Sequence, residues 1–572
     1  MTAKSYAEPI SPPDCSSKTS GARNPSKPFG SSSISIPESL RLTCAPRFYD
    51  TTLRDGNQGI GVNFSVDDKI KIARKLSNFH INYIEGGWPN SSSPAEVEFF
   101  GRIRKERILS AITAFGMTRK PNLRAEDDQN LSFLLSAGAD YVTVMGKSSV
   151  FHVQKVLGST LDENLRMVSD SVSYLREKGS KVIFDAEHFF DGFKEDSDYA
   201  MRVVATAEES EANEIVLCDT RGGSTPAEIY QITKKVKGEV SKPIGIHAHN
   251  DRGLATINSI FALMAGAEHV QGTVNGLGER CGNANLVEII GNLAITFNID
   301  TGLDLSKLTE LSDYVYEIAN VQRNDYQPFV GRFAFTHKGG IHGHAVLKYS
   351  EAYEGFDPTI VGNARSIAVS SQTGLANIIE KAKEFGFNLG KDSSEAPKIL
   401  RMVKEKEAEG YHYENADASL NLLYARALGV DLNHFCLENW RAFVVGDGQR
   451  VSAESTVKLK MGNHSLIAAA EGNGPVNAFD IALRRALNSQ HPELSNVELK
   501  GYRVREINVE KGTAASVQVF TEFEADGKRW STIGVSPNIL KASEEALVDG
   551  YVYYLYRMRG SNNSTRAPCK EM

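Results

Sequence analysis

Two histidines separated by one residue are the feature of this sequence that most directly suggests chemistry. His247 and His249 end an apolar run, and residues i and i+2 of a β-strand face the same way. Neighbouring imidazoles suit a divalent metal ion, although a hydrogen-bonded histidine pair lining a barrel explains the same pattern equally well. Asp55 follows an earlier apolar run and could complete a His-His-Asp ligand set. Such a set favours Mn²⁺, Mg²⁺ or Zn²⁺ without choosing among them.

Polar residues also end several other short apolar runs. They are Asp50-Thr51-Thr52, Glu85-Gly86-Gly87, Asp185-Ala186-Glu187 and Asp219-Thr220. A TIM barrel gathers the carboxyl ends of its strands into one mouth, where groups from different strands meet. Arg54 directly precedes Asp55, and on an irregular turn its guanidinium can point into such a mouth. A surface salt bridge is the alternative interpretation of Arg54.

The elements that would position these residues alternate between short β-branched or apolar runs and longer segments of helical period. This alternation is typical of parallel βα units, and eight strands are enough to close a barrel. An open doubly wound sheet alternates in the same way but explains the polar strand ends less well. The sequence therefore predicts a TIM barrel with strands at residues 47–52, 83–88, 110–116, 141–146, 181–187, 214–220, 243–249 and 269–276.

The second half of the chain has a different pattern. From about residue 320 to 429 it is helical with Gly-rich interruptions, and beyond Phe435 strand-like runs return. These runs, at residues 442–445, 455–461, 497–505 and 515–522, surround helices that begin near Val476 and Ser543, which predicts an α+β domain.

Composition excludes several classes of partner. A formal charge of -7 and the absence of Lys/Arg runs give no footprint for nucleic acid, and no apolar stretch approaches the length of a membrane-spanning helix. The six cysteines are scattered, so a reducing, cytoplasmic location is expected. Residues 1–46 are rich in Ser and Pro and are predicted to be disordered; an organelle-targeting sequence is the alternative, disfavoured by their acidic residues and prolines.

Longer motifs resemble a known family. The run DTTLRDGNQ at residues 50–58 resembles the signature of the DRE-TIM metallolyase superfamily, and GLGERCGNAN at 276–285 resembles its second signature. FDAEHFFDG at 184–192, CDT at 218–220, HKGGIH at 337–342, AEGNGPVNA at 470–478 and GVSPN at 534–538 resemble the long-chain citramalate and isopropylmalate synthases. The resemblance implies a metal-dependent Claisen-type condensation of acetyl-CoA with a 2-oxo acid and release of CoA.

The resemblance also assigns roles to individual residues. It implies metal ligands at Asp55, His247 and His249, with Asn283 close to the metal and bound directly or through water. Arg54 matches the arginine that stabilises negative oxygen, and Thr220 a hydroxyl that binds the substrate carboxylate. Glu187 matches a carboxylate that orients the reacting groups, although a barrel-mouth ion pair is its simpler interpretation. His342 matches the base that takes a proton from acetyl-CoA and reaches the barrel mouth from the partner subunit, so a homodimer is implied; a helix cap is the alternative.

For the domains, the resemblance implies a catalytic barrel at residues 47–319, helical linker subdomains at 320–432 and a regulatory dimerisation domain at 433–560, followed by a tail at 561–572. The last domain would bind an end-product amino acid, with simple dimerisation as the alternative.

Three positions depart from a pyruvate-using enzyme of this family: Met145, Ser149 and Arg221. Smaller side chains at 145 and 149 could admit a branched or aryl-substituted 2-oxo acid such as 4-hydroxyphenylpyruvate, so pyruvate is the first expectation and a bulkier substrate the second. A lyase of the same superfamily and a catalytically silent amino-acid-binding regulator are the alternatives from other classes.

Overall fold

The computed structural model of this chain describes residue 42 and residues 45–370, 373–390, 392–446, 451–507 and 509–557. These residues form two compact units. The first contains the described residues up to Phe335 together with Gly355–Arg365, and the second contains Thr336–Glu354 and the described residues from Ser366 onward. The predicted tails at 1–46 and 561–572, and with them the targeting alternative, lie almost entirely outside the described residues. No helix in the described part of the chain is both long enough and apolar enough to cross a membrane.

The first unit is built on a closed barrel of eight parallel strands, which confirms the predicted TIM barrel. The first strand pairs with the eighth, from Arg47 opposite His269 to Asp50 opposite Gly272, so the open-sheet alternative is excluded. The eighth strand is shorter than predicted because Asn275, at φ 63°, turns the chain away. The strands are β1 Arg47–Asp50, β2 Tyr83–Gly87, β3 Ala111–Met117, β4 Tyr141–Lys147, β5 Lys181–Glu187, β6 Glu214–Asp219, β7 Ile244–Ala248 and β8 His269–Gly272.

Ten α-helices lie in the described part of the same unit, and several begin at caps that the sequence encodes. Ser65 and Asp68 form a capping box, as do Thr225 and Glu228, and each box satisfies backbone N–H groups that the first helical turn leaves free. The helices are α1 Val66–Asn78, α2 Pro94–Ile103, α3 Gln129–Ala137, α4 Leu161–Glu177, α5 Phe189–Glu195, α6 Ser197–Glu209, α7 Pro226–Glu239, α8 Ala255–Met264, α9 Leu286–Gly291 and α10 Leu308–Ala319.

The barrel interior is filled by side chains and is not a pore. Tyr49, Tyr83 and Tyr141 pack there with smaller apolar residues from other strands. The hydroxyl group of Tyr49 lies 2.8 Å from each of the hydroxyl oxygens of Thr113 and Thr143. Such inward layers are typical of TIM barrels, and they give the residues at the strand ends a rigid base.

The second unit combines helices with two three-stranded antiparallel sheets, as the predicted α+β domain requires. Each sheet is followed by a helix that packs on it, α15 on the first and α16 on the second. Its strands are β9 Thr336–His337, β10 Ser366–Ile367, β11 Cys436–Gly446, β12 Val451–Met461, β13 His464–Gly472, β14 Glu498–Ile507, β15 Ser516–Ala525 and β16 Lys528–Ser536. Its helices are α11 Gly340–Lys348, α12 Leu375–Glu384, α13 Glu395–Ala408, α14 Asp417–Ala427, α15 Pro475–Asn488 and α16 Ile539–Arg557.

Candidate active site

Asp55, His247 and His249 converge at the carboxyl end of the barrel. Asp55 stands on the turn after β1, His247 lies in β7 and His249 directly follows β7; their exposed fractions are 1%, 5% and 7%. The Nε2 atoms of the two histidines are 3.3 Å apart, and Oδ2 of Asp55 lies 3.5 Å from His247 Nε2 and 3.9 Å from His249 Nε2. Three potential ligand atoms therefore face one small space.

Gln271 fixes the orientation of the His247 ring from the side that faces away from the cluster. Gln271 of β8 is fully buried; its Nε2 donates to Oδ1 of Asp185 at 3.1 Å, and its Oε1 lies 2.8 Å from Nδ1 of His247. Because that amide oxygen can only accept, Nδ1 of His247 carries the proton and Nε2 presents a lone pair to the cluster. Gln271 was not among the predicted site residues, although a glutamine in an apolar strand two residues from His269 was a signal.

Protonation in the cluster suits a cation. Burial alone would raise the pKa of Asp55, but the Arg54 guanidinium and the two imidazoles outweigh it and lower the pKa to about 2. Burial, together with the neighbouring His247, lowers the pKa of His249 to about 3, and burial also lowers the pKa of His247. At neutral pH the cluster is therefore one carboxylate and two neutral imidazoles, the forms that bind metal ions.

Asn283 belongs to the same space. It pairs with His249 through an isolated backbone bridge between the loop after β8 and the end of β7. Within the described part of the chain, Oδ1 of Asn283 and Oδ1 of Asp55 are buried without a hydrogen-bond partner. A Cβ on Gly278, at φ +156°, would lie 2.1 Å from Nδ2 of Asn283, so only glycine leaves room for this amide. Buried oxygens without donors fit a bound cation, and the donor set matches a divalent metal.

Arg54 points into the mouth of the barrel and not at solvent. Its Nε donates to Oε2 of Glu85 at 2.6 Å, its Nη1 donates to Oδ2 of Asp55 at 3.1 Å, and its guanidinium carbon lies 3.8 Å from the centre of the Phe115 ring. Glu85 also accepts hydrogen bonds from the hydroxyl groups of Thr51 and Tyr49. Glu85 and Phe115 hold the arginine, and neither was among the predicted site residues.

Glu187 and Thr220 lie on the other side of the mouth, at the ends of β5 and β6. Glu187 forms an ion pair with Lys147, which matches its simpler interpretation as part of a barrel-mouth ion pair. Oγ1 of Thr220 accepts the backbone N–H of His188 at 2.9 Å, which leaves its own O–H free to donate. The carbonyl oxygen of Thr220 accepts from Nη2 of Arg280 at 2.9 Å, so hydrogen bonds hold both the side chain and the backbone of this threonine.

His342 belongs to the second unit and lies in α11. Its ring is exposed and packs against Tyr353, with the ring centres 4.3 Å apart. The predicted site residues of the first unit thus lie close together at the mouth of the barrel. His342 belongs to the other unit.

A cleft of about 260 Å³ opens above the cluster. Of the predicted residues, six line it: Arg54, Asp55, Glu187, Thr220, His247 and His249. The cleft adds several others, namely Gln58, Trp88, Phe115, Met145, Asp185, Cys218, Glu279 and Arg280.

The positions that suggested a larger substrate behave differently from one another. Met145 lines the cleft. The hydroxyl of Ser149 instead donates to Oε2 of Glu195 at 2.8 Å, and Ser149 is not among the lining residues. Arg221 is exposed, with its Nε 3.9 Å from Oδ2 of Asp191. Of the three departures, only Met145 can change the space for a substrate.

Three family models match consecutive parts of the chain. Residues 45–315 match the HMGL-like model, residues 329–410 match the homocitrate synthase post-HMGL domain-like model, and residues 414–555 match the LeuA allosteric (dimerisation) domain model. The barrel and the C-terminal region each match a separate family model.

Similar proteins cover nearly the same length. The chain is 46% identical to the (R)-citramalate synthase of Aquifex aeolicus over 89% of this chain and 97% of the relative, and 44% identical to that of Geobacter sulfurreducens over 89% and 98%. It is 31% identical to the 2-isopropylmalate synthase of Methanocaldococcus jannaschii over 90% and 95%. Among solved structures, the HMG-CoA lyase of Bacillus subtilis aligns with a TM-score of 0.44 at 22% identity, covering 49% of this chain and 96% of that one. Taken with the barrel and its cluster, the two citramalate synthases show that the chain belongs to the (R)-citramalate synthase family, whose acyltransferases condense acetyl-CoA with a 2-oxo acid.

Proposed function

We propose that this enzyme condenses acetyl-CoA with pyruvate to give citramalate and free CoA, with a divalent metal ion at Asp55, His247 and His249. The single observation that carries the proposal is the convergence of these three buried groups within 3.9 Å, with both imidazoles neutral. The relatives that are 46% and 44% identical are (R)-citramalate synthases, which supports pyruvate as the 2-oxo acid. Citramalate formation would serve isoleucine biosynthesis.

The cation would be Mn²⁺, Mg²⁺ or Zn²⁺, held by the three side chains with Asn283 next to them. Bound there, it would polarise the keto group of the 2-oxo acid. Oδ1 of Asn283, which has no donor within the described residues, is available either as a further ligand or to a water molecule. The buried Gln271 keeps the lone pair of His247 directed at the cation.

Arg54 and Thr220 would handle the negative oxygens of the reaction. The Arg54 guanidinium is held rigidly by Glu85 and Phe115, so it can donate charge-assisted hydrogen bonds to the keto oxygen or to the thioester enolate as negative charge develops. The free O–H of Thr220 would donate to the carboxylate of the 2-oxo acid.

Glu187 and His342 would act on acetyl-CoA. Glu187, whose carboxylate is held by Lys147, would orient the reacting groups. His342 would remove a proton from the methyl group of acetyl-CoA and reach the cleft from the partner subunit of a homodimer. Its exposure on α11 leaves its ring accessible to another chain. The resulting citramalyl thioester would be hydrolysed by water, which releases CoA and makes the condensation irreversible.

The C-terminal sheets would provide the dimer contact and the regulatory site. Five large apolar side chains of the β11–β13 sheet are exposed, namely Phe443, Val444, Val445, Val451 and Ile467. Exposed apolar residues in such a group mark a surface that another protein covers, and this sheet lies within the match to the LeuA dimerisation domain. An end-product amino acid would bind in this domain as effector. The cytoplasm is the expected location.

The test is an assay of released CoA thiol with acetyl-CoA and a panel of 2-oxo acids. Pyruvate should react fastest, 2-oxoisovalerate more slowly and 4-hydroxyphenylpyruvate least. If pyruvate is inert while the aryl substrate reacts, the assignment of pyruvate is wrong. A chelator should abolish turnover, and one of the three metal ions should restore it. Incubation with a hydroxyacyl-CoA thioester should give no cleavage, which separates the synthase from a lyase.

A further inference from the structure

A second cavity, of about 380 Å³, lies within the second unit and has no part in the proposed reaction. It is enclosed by α13, α14 and α16 together with the Tyr411–Tyr413 segment. Met402, Leu423, Ile533 and Val548 give it an apolar wall. Its size suits a small organic molecule of the kind that occupies protein clefts.

The polar wall of this cavity is predominantly acidic. Its carboxylates are Glu405, Glu409, Glu544, Glu545 and Asp549. The cations that pair with them are Arg401, Lys406, Arg426 and Lys541. Five carboxylates against four cations leave a surplus of one negative charge. A cavity wall with a net negative charge favours a ligand that carries one positive charge.

Glu545 is the carboxylate held mainly by neutral donors. Its Oε2 accepts from the hydroxyl of Tyr411 at 2.8 Å and from the backbone N–H of Val535 at 3.3 Å. Lys541 lies 3.6 Å from the other oxygen of Glu545 and is engaged more closely by Glu544. Oε1 of Glu545 is therefore the acceptor best able to take a further donor.

Tyr413 supplies the second observation. Only 4% of this residue is exposed, and its phenol lines the cavity without a hydrogen-bond partner among the described residues. The phenol oxygen faces the cavity, so a molecule bound there can donate a hydrogen bond to it. Tyr411 beside it, with ring centres 6.0 Å apart, already has the ammonium group of Lys406 over its ring at 4.8 Å. Aromatic faces and an unpaired phenol oxygen are groups that recognise ammonium ions.

We propose that this cavity binds a short aliphatic amine, with its ammonium group at Glu545 and Tyr413 and its hydrocarbon chain on the apolar wall. The ammonium donates to Oε1 of Glu545 and to the phenol oxygen of Tyr413. Its positive charge balances the one negative charge that the cavity has in excess. The hydrocarbon chain of the amine replaces water in contact with Met402, Leu423 and Val548. Because the amine touches three helices at once, it holds α13, α14 and α16 together.

The experiment is calorimetric titration of the full-length protein with n-butylamine as the probe, at low salt, with butyrate and n-butanol as matched comparisons. We expect saturable binding of butylamine and none of butyrate. Tyr413→Phe removes one unpaired oxygen, so it should fold normally and bind butylamine about tenfold more weakly. Glu545→Gln keeps an acceptor for Tyr411 but removes the charge, and should also weaken binding about tenfold.

Control variants separate the cavity from general effects. Tyr424→Phe removes a buried phenol that donates to the carbonyl of Ile378 outside this cavity, and Glu498→Gln removes an exposed carboxylate of the same unit. Both should bind butylamine like the unmodified protein. The proposal is overturned if butylamine gives no saturable heat, if butyrate or butanol binds as well, or if Tyr413→Phe and Glu545→Gln bind it unchanged.

Discussion

Replacement of Gln271 by methionine tests whether the metal cluster depends on the residue behind it. Methionine is close to glutamine in length and shape but cannot accept from Nδ1 of His247 or donate to Asp185. Because Gln271 has no exposed surface, water cannot take its place easily. The His247 ring would lose its preferred tautomer and its fixed plane, while all three ligand side chains stay in the protein.

The expected magnitudes follow from these two lost hydrogen bonds. Loss of a partner that orients a metal-binding histidine costs about 10- to 100-fold in metal affinity, or roughly 1.4–2.7 kcal/mol. Two buried groups left without partners should also lower the free energy of unfolding, by about 1–3 kcal/mol for each group. The metal effect is thus comparable to the stability effect, and the two must be measured separately.

Titration of the metal-free protein with Mn²⁺ by calorimetry gives the affinity, and urea unfolding of the metal-free protein gives the stability. Gln327→Met is the matched control, because Gln327 is also a buried glutamine of the first unit with two side-chain hydrogen bonds, to Tyr316 and Asn275. It should lose a similar free energy of unfolding and keep its Mn²⁺ affinity. Equal Mn²⁺ affinity in Gln271→Met and the unmodified protein would refute the reasoning.

Three further predictions concern other parts of the molecule. Arg54→Lys keeps a positive charge but loses the paired contacts to Glu85 and Asp55, so kcat should fall by about 10²- to 10³-fold with metal affinity within a few fold, as measured by thiol release and calorimetry. Hydrogen bonds from the backbone N–H of Asn122 and from Arg119 lower the pKa of Glu163 from 4.5 to about 2. A lowered pKa adds stability above pH 4.5 that is lost as pH falls through 2, so Glu163→Gln should cost about 1–3 kcal/mol at pH 7 in urea unfolding, and the difference should close over that range. Val445→Lys places a charge on a side chain that is 64% exposed in the β11–β13 sheet, and should shift the protein from dimer to monomer in analytical ultracentrifugation, with unchanged far-UV circular dichroism. Unaltered kcat, a pH-independent difference or an intact dimer, respectively, would contradict these predictions.

The barrel was predictable because each strand combines an apolar run with a polar carboxyl end. The largest error is in the eighth strand, which was predicted four residues too long, ahead of the turn at Asn275; the first strand was predicted two residues too long. The sequence did not predict the two-residue strands β9 and β10, nor one strand of each three-stranded sheet. β13, His464–Gly472, contains Leu466-Ile467 followed by three alanines, which have low strand propensity. β16, Lys528–Ser536, follows Asp526-Gly527, both at positive φ, and this dipeptide is a hairpin signal that could have revealed it.

The candidate ligand set could be proposed from the sequence because spacing in a strand fixes which way His247 and His249 face. The residues that support the ligand set and Arg54, namely Glu85, Gln271 and Phe115, could not be proposed in this way. They act through contacts between strands that are far apart in sequence. Ser149 illustrates the opposite error. Its position after β4 suggested a place beside the substrate, but its hydroxyl turns to Glu195 of α5.

The charge of the buried cluster gives a final argument about what it binds. Arg54 is paired with both Glu85 and Asp55, so these three groups carry a net charge of -1, and the neutral histidines add nothing. Lys147 and Glu187 cancel one another. Burial raises the pKa of Asp185 well above its usual value, which favours the uncharged carboxyl and adds nothing to the count. A divalent cation would turn the cluster to +1, and a substrate with one carboxylate would return it to zero. Because unbalanced charge is costly in a buried site, the cluster favours a monoanionic 2-oxo acid over both a neutral ketone and a dianionic acid. Oxaloacetate in the thiol-release assay should therefore react far more slowly than pyruvate, and equal rates would show that the cleft does not select by charge.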